Sequence, residues 1–133
     1  MRKILFALSL ALGLGAAAAP AALAQDVPAP LKAAKAGDLG TVLTGPNGMT
    51  LYTFKNDKEG KSVCKDACAK NWPPFAPEAG APAPKAPLSV ITRDDGGKQY
   101  AWKGLPLYYW KDDKKPGDTT GHMARNIWFV AKP

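Results

Sequence analysis

Short apolar runs alternate with turns rich in glycine, proline and aspartate along the chain from residue 39 onward. Around Gly45-Pro46-Asn47-Gly48, the β-favouring residues of 41–54 predict a hairpin. The polar, cysteine-containing stretch 62–71 favours a short helical segment that ends before consecutive prolines, which cannot continue a helix. Further strands are predicted at 88–92, 98–102, 105–110 and 127–131. The pattern therefore predicts a small, mainly β single domain with a short helical turn near the cysteines.

The N-terminal segment 1–24 follows a different pattern. Two basic residues precede a continuous apolar run, and the segment ends in Ala22-Leu23-Ala24. This arrangement predicts a secretory signal peptide cleaved before Gln25. Glutamine at that position offers no attachment point for a lipid anchor, and no later apolar run approaches the ~20 residues that span a bilayer. We expect a periplasmic or secreted protein with no transmembrane segment after signal removal, beginning with a flexible Ala/Pro-rich leader at 25–38.

An internal repeat with an offset of 56 residues relates the two halves of the remaining chain. Seven of the 25 positions in 48–72 are identical to the residues 56 positions later, without a gap. The repeat predicts unit 1 at 39–75 and unit 2 at 88–133, joined by a Pro/Ala-rich connector at 76–87. Because each hairpin-based unit is too small to bury its own apolar face, we expect the two units to share one core.

The most prominent repeated string is Tyr-x-aromatic-x-x-Asp, found at 52–57 and 108–113. On a strand the tyrosine and the aromatic residue point to one face, and the aspartate follows where its carboxylate can accept turn N–H bonds. One interpretation is an aromatic core with a turn-stabilising acid, and the other is a pair of equivalent ligand sites. The candidate binding residues are Tyr52, Phe54, Asp57, Tyr108, Trp110 and Asp113, together with Trp72 and Trp128.

Cys64 and Cys68 are the only cysteines, and in an exported protein such a pair is typical of a disulfide. In a helix their Cα atoms would be roughly 6 Å apart, near the upper end of the range that a disulfide bridges. The alternative is a thiol pair that binds Cu(I) or exchanges disulfides. His122 and Met123 could complete a copper site, because imidazole and thioether are both copper ligands.

These strings resemble the secreted-repeat family of unknown function, described as predicted lipoproteins with a Tyr-x-(Phe/Trp/Tyr)-x-x-Asp motif. The resemblance covers about residues 40–133 and includes Trp72-Pro73-Pro74 and the segment 116–121. It implies an exported envelope protein and brings no catalytic residue with it. The chain departs from the family pattern in lacking a lipobox cysteine and in carrying His122.

Several function classes are disfavoured by the composition. The formal charge of +7 is spread along the chain, and the cluster at 111–115 contains two aspartates, so no nucleic-acid surface is predicted. No nucleophile–base–acid set, phosphate loop or calcium loop is present in the sequence. We therefore predict a non-catalytic envelope or periplasmic protein without a cofactor, a binding or structural module for an unknown ligand or envelope component. The alternative is a periplasmic copper-binding or thiol-redox accessory protein.

Overall fold

The computed structural model describes residues 26–133 together with Gly13 and Gly15. The predicted signal peptide, 1–24, lies outside the described residues apart from those two glycines. Within the described part the strands are β1 Lys32–Lys35, β2 Thr41–Thr44, β3 Tyr52–Phe54, β4 Leu88–Thr92, β5 Lys98–Trp102, β6 Leu105–Pro106 and β7 Trp128–Val130, and the α-helix is α1 Ala67–Asn71. Short 3-10 turns lie at Gly37–Leu39 and Ala124–Asn126. The prediction of a mainly β domain with a helical turn near the cysteines is confirmed.

Strand pairing occurs both within each unit and between the two units. β1 pairs with β2, and β4, β5 and β6 form an antiparallel sheet in that order. β3 of unit 1 pairs with β7 of unit 2, so that Tyr52 is opposite Val130. The converse pairing joins the end of unit 1 to unit 2, because the amide of Tyr109 donates to the carbonyl of Pro73 at 2.8 Å. Each unit therefore contributes its final segment to the other.

The exchange extends to single backbone hydrogen bonds. The amide of Tyr52 donates to the carbonyl of Tyr108 at 2.8 Å, and the amide of Tyr108 donates back to Tyr52 at 3.0 Å. This reciprocal pair relates the units by an approximate two-fold axis. Two rings of three hydrogen bonds follow the same relation, one through Leu43, Leu51 and Ala131 and the other through Tyr100, Leu107 and Phe75.

The buried side chains form two clusters, and both contain residues of both units. One includes Leu43 and Leu51 of unit 1 with Leu88 and Leu107 of unit 2. The other is centred on Tyr52, Trp72, Tyr108 and Trp128. The expected shared core is therefore present. No helix among residues 26–133 is long and apolar enough to cross a membrane.

Two strands match their predicted bounds, and three predicted elements are shorter, including the strand predicted at 127–131, which is observed as β7, Trp128–Val130. β4 and β5 coincide with 88–92 and 98–102. The strand predicted at 105–110 pairs with β5 only at its start, because the amide of Tyr100 donates to the carbonyl of Phe75 and the carbonyl of Leu107 accepts from the amide of Phe75. Tyr108 then bridges to Tyr52 and Pro74 instead of to β5. The helix covers only the second half of 62–71.

The segment predicted as a flexible leader, 25–38, differs from that expectation over its described part. β1 lies within it, and Leu31 is 4% exposed in the core. β1 shows no apolar alternation because it is a largely exposed strand of small and basic residues, held by main-chain pairing to β2. The connector 76–87 contains no helix or strand.

Candidate functional site

Four aromatic rings from the two units stack on one another across the two-fold axis. Phe54 stacks on Trp128 with ring centroids 4.2 Å apart, Trp128 on Trp72 at 3.9 Å, and Trp72 packs against Trp110 at 4.2 Å. We call this set the aromatic stack. The central Trp128–Trp72 pair is nearly parallel, with an interplanar angle of 4°. The order of the rings alternates between units, so the stack forms only when both units are present.

The centre of the aromatic stack is buried, and its ends are half-buried. Trp72 is 5% exposed and Trp128 is 3% exposed, whereas Phe54 and Trp110 are intermediate. Tyr52 and Trp72 pack edge to face with ring centroids 5.3 Å apart, and Tyr108 and Trp128 do the same at 5.1 Å. Such edge-to-face contacts are favourable because the positive ring edge meets the negative ring face. The two central rings of the aromatic stack therefore belong to the core, and the two end rings reach the surface.

The repeated tyrosine and aspartate bind each other across the units, not within them. The Tyr52 hydroxyl donates to Asp113 Oδ2 at 2.6 Å, and the Tyr108 hydroxyl donates to Asp57 Oδ2 at 2.6 Å. Each motif therefore supplies a donor to one bond and an acceptor to the other. The spacing of the motif reflects the geometry of this exchange as well as the local turn.

The second oxygen of each aspartate accepts backbone bonds, as the turn interpretation expected. Asp57 Oδ1 accepts from the amide of Val63 at 2.7 Å. Asp113 Oδ1 accepts from the amide of Thr120 at 3.0 Å and from its hydroxyl at 2.7 Å. The carboxylates thus join the turn that follows each motif to the tyrosine of the other unit.

Burial controls the ionisation of these groups. It raises the pKa of Asp57, although the hydrogen bond from Tyr108 and the charge of Arg93 act in the opposite direction. Burial, followed by the bond to the partner aspartate, raises the pKa of the Tyr52 and Tyr108 hydroxyls well above the ordinary tyrosine value. Both phenols consequently keep their protons and act as donors, which fits a structural role better than acid–base chemistry.

Arg93 is a buried functional group that the sequence analysis did not identify. Its side chain donates to Ser62 Oγ at 2.9 Å, to Gln99 Oε1 at 2.7 Å and to the carbonyl oxygen of Cys64, and the residue is only 7% exposed. One signal was available, because only three of the 18 basic residues are arginines. Arginine is favoured over lysine where several buried acceptors must be bound at once.

The cysteines form the expected disulfide. Cys64 and Cys68 are bonded to each other with their Cα atoms 5.2 Å apart. Cys64 is 0% exposed, whereas Cys68 is half-buried at the surface. Nδ1 of His122 accepts a bond from the amide of Val130 at 3.1 Å, and Met123 is 56% exposed. Among residues 26–133 no group of three or more His, Cys, Asp or Glu side chains could hold a metal ion.

A groove of about 360 Å³ opens beside the aromatic stack, and we call it the axial groove. Its lining residues are Phe54, Ala67, Cys68, Asn71, Trp72, Trp110, Ala124, Arg125, Ile127 and Trp128. Eight of the ten form pairs related by the 56-residue offset, such as Phe54 with Trp110 and Cys68 with Ala124. Arg125 has no charged counterpart, because Ala69 stands at the equivalent position. The symmetric scaffold therefore carries a chemically asymmetric groove.

Two other depressions involve fewer of the repeated residues. One of about 530 Å³ lies among Pro30, Pro46, Phe75, Tyr100 and Tyr109. The other, of about 260 Å³, has mainly charged walls near Arg93. Neither contains a residue pair related by the 56-residue offset. Of these three, the axial groove is the one that both units build from equivalent positions, and it contains four of the candidate binding residues and Cys68.

Comparison with known proteins identifies a family but no characterised relative. No curated protein and no solved structure matches the chain. A family model described as a secreted repeat of unknown function matches twice, at 33–76 and at 89–132. The first match begins at 33 rather than at the predicted 39, and so includes part of β1. The two matches cover most of the chain, which therefore belongs to this family of secreted repeats of unknown function.

Proposed function

We propose that the protein is an exported, non-catalytic binding module whose axial groove binds a small ligand or side chain with a flat apolar face and a negative charge. The observation that carries this proposal is the position of the groove at the junction of the two units, beside the aromatic stack. Sites at such junctions are common in proteins, since two elements together provide concavity that neither provides alone.

The apolar part of the proposal rests on the groove walls. Phe54 and Trp110 are the half-buried ends of the aromatic stack, and Ile127 and Ala67 add aliphatic surface. Binding pockets for small ligands are lined mainly by apolar and aromatic side chains, with a few polar groups that fix orientation. Asn71 supplies one such polar group.

The preference for a negative charge rests on Arg125, the one charged side chain among the described residues that line the groove. Lys111 lies nearby, with its Nζ 5.9 Å from the centroid of the Trp110 ring. The whole chain carries a formal charge of +7, which also favours association with anions. An anionic ligand is therefore attracted to the groove and oriented within it.

Fluorescence of anilinonaphthalene sulfonate tests the proposal, because this dye combines a flat aromatic face with one negative charge. We expect saturable fluorescence enhancement by the native protein and weaker binding by Arg125→Ala. The uncharged analogue phenylnaphthylamine should bind both proteins alike. Retained near-ultraviolet circular dichroism of the aromatic stack establishes that the dye has not bound an unfolded form.

Two tryptophan substitutions locate the dye. Ala67→Trp places a large ring in the groove from an exposed position of α1, and it should abolish enhancement. Ala83→Trp adds the same ring to the exposed connector, outside the groove, and should leave enhancement unchanged. Equal dye binding by the two variants would contradict the proposal.

A further inference from the structure

The two cysteines of the disulfide differ in burial. Cys64 is completely buried, whereas Cys68 is half-buried and forms part of the wall of the axial groove. We propose that this disulfide is a thiol-exchange site in which Cys68 is the sulfur attacked from the groove and Cys64 is the leaving group. The proposal concerns covalent chemistry, and it stands whether or not the groove also binds a ligand non-covalently.

Thiol–disulfide exchange at this site proceeds in two steps. A thiolate in the groove attacks Cys68 Sγ, a new S–S bond forms, and Cys64 Sγ leaves with the electron pair of the broken bond. Cys64 then takes the proton that the incoming thiol had released. A second thiolate attacks the sulfur of the first thiol in the mixed disulfide, releasing the oxidised thiol pair and leaving Cys68 as a thiolate. Two thiols are oxidised, and the protein disulfide is reduced.

A fixed positive charge lies against the backbone of Cys64, the residue that carries the proposed leaving group. Arg93 donates to the carbonyl oxygen of Cys64 and to Ser62 Oγ, and Ser62 Oγ in turn accepts a bond from the amide of Cys64 at 3.4 Å. Among residues 26–133 the only acid within 4 Å of the Arg93 side-chain nitrogens is Asp95, which is 70% exposed and 3.7 Å away. Proximity to arginine stabilises a thiolate, and a more stable thiolate leaves faster.

The groove also favours approach of the attacking group. Arg125 provides a positive charge on the wall formed by unit 2, while Cys68 belongs to the wall formed by unit 1. Thiolates and carboxylates are both attracted to such a charge. A small thiol that carries carboxylates, such as reduced glutathione, therefore has the chemistry that this site selects.

Mapping the mixed disulfide tests which sulfur is attacked. The protein in its oxidised form is incubated with reduced glutathione, quenched with acid, alkylated and digested, and the peptides are analysed by mass spectrometry. We expect glutathione on Cys68 and the alkylating group on Cys64. Glutathione on Cys64, or on both cysteines equally, would overturn the proposal.

Two single-cysteine variants compare the reactivity of Cys68 and Cys64 as free thiols. With oxidised glutathione, Cys64→Ser leaves Cys68 free in the groove, and its adduct should form at least about ten-fold faster than the Cys64 adduct in Cys68→Ser. Arg125→Ala should slow exchange with glutathione but not with uncharged β-mercaptoethanol. Near-ultraviolet circular dichroism checks that each variant is folded, and the wild-type mapping decides the question if one is not.

Urea separates exchange in the native protein from exchange after unfolding. We expect the rate with glutathione to be nearly constant at urea concentrations below the unfolding transition. A rate that rises in proportion to the unfolded fraction would show that the disulfide reacts only after unfolding, and it would refute the assignment. Because glutathione exchange and dye binding are read separately, failure of one does not imply failure of the other.

Discussion

The cross-unit hydrogen bonds between tyrosine and aspartate make a quantitative prediction. Tyr52→Phe removes the donor of the 2.6 Å bond to Asp113 while keeping the ring that packs on Trp72. A hydrogen bond to a charged group is worth about 1.5–3 kcal/mol. Asp113 still accepts two bonds from Thr120, so Tyr52→Phe should lower the free energy of unfolding by an amount near the middle of that range, about 2 kcal/mol.

Double-mutant cycles then test which aspartate each tyrosine binds. The Tyr52→Phe and Asp113→Asn changes should be non-additive by about 1–2 kcal/mol, because the first removes the donor and the second removes the charge of the acceptor of the same bond. Tyr52→Phe and Asp57→Asn, which lie in one motif but share no hydrogen bond, should be additive within about 0.5 kcal/mol. The Tyr108/Asp57 cycle tests the equivalent bond of the other motif pair and should also be non-additive.

Urea unfolding followed by tryptophan fluorescence measures these free energies, with the midpoint compared at a constant slope. Strong coupling between Tyr52 and Asp57, together with additivity between Tyr52 and Asp113, would refute the exchange of motif residues between units. It would show instead that each motif is a closed local structure.

Three further predictions concern the same region. Gly121→Ala would bring a Cβ to 2.7 Å from Cη2 of Trp72. It should therefore destabilise the protein by about 1–3 kcal/mol and alter its near-ultraviolet circular dichroism, and unchanged spectra and stability would contradict this packing. Replacing Cys64 and Cys68 by serine should cost about 2 kcal/mol and leave the fold intact, as urea unfolding can measure, since the disulfide closes a very short loop. Burial raises the pKa of Asp57, so the folded state holds this proton more tightly than the unfolded state does. The contribution of Asp57 to stability should therefore be present at low pH and be lost as the pH rises through the folded pKa. An NMR titration of the Asp57 carboxyl carbon measures the folded pKa, and a titration midpoint at or below the ordinary aspartate value would contradict the prediction.

The sequence was sufficient to predict the repeat and its shared core. The 56-residue offset aligned Tyr52 with Tyr108 and Trp72 with Trp128, and these residues do occupy equivalent positions. It was not sufficient to predict the exchange of final segments between units. An offset shows that two segments are alike, but pairing β3 with a strand of its own unit would satisfy the same pattern as pairing it with β7.

Hydrogen bonds between residues that are far apart in sequence could not be predicted either. Asp57 lies five residues after Tyr52, so a local turn was the simplest interpretation, yet the acceptor for Tyr52 is 61 residues away. Arg93 resembles any basic residue at the end of a strand until the fold surrounds it with Ser62 and Gln99. β1 carries no apolar alternation, because its hydrogen bonds to β2 rather than its side chains hold it in place.

The exchange of final segments also constrains when the chain can fold. Residues 128–131 leave the ribosome more than 50 residues after unit 1 ends at 75, yet they provide β7 for β3 and the carbonyl of Ala131 that accepts from Leu43. Unit 1 therefore keeps an unpaired strand edge at β3 until β7 has been synthesised, and it cannot complete its fold before then. In a member of a secreted family, this delay in folding favours export, because a narrow export channel admits an unfolded chain and excludes a folded domain.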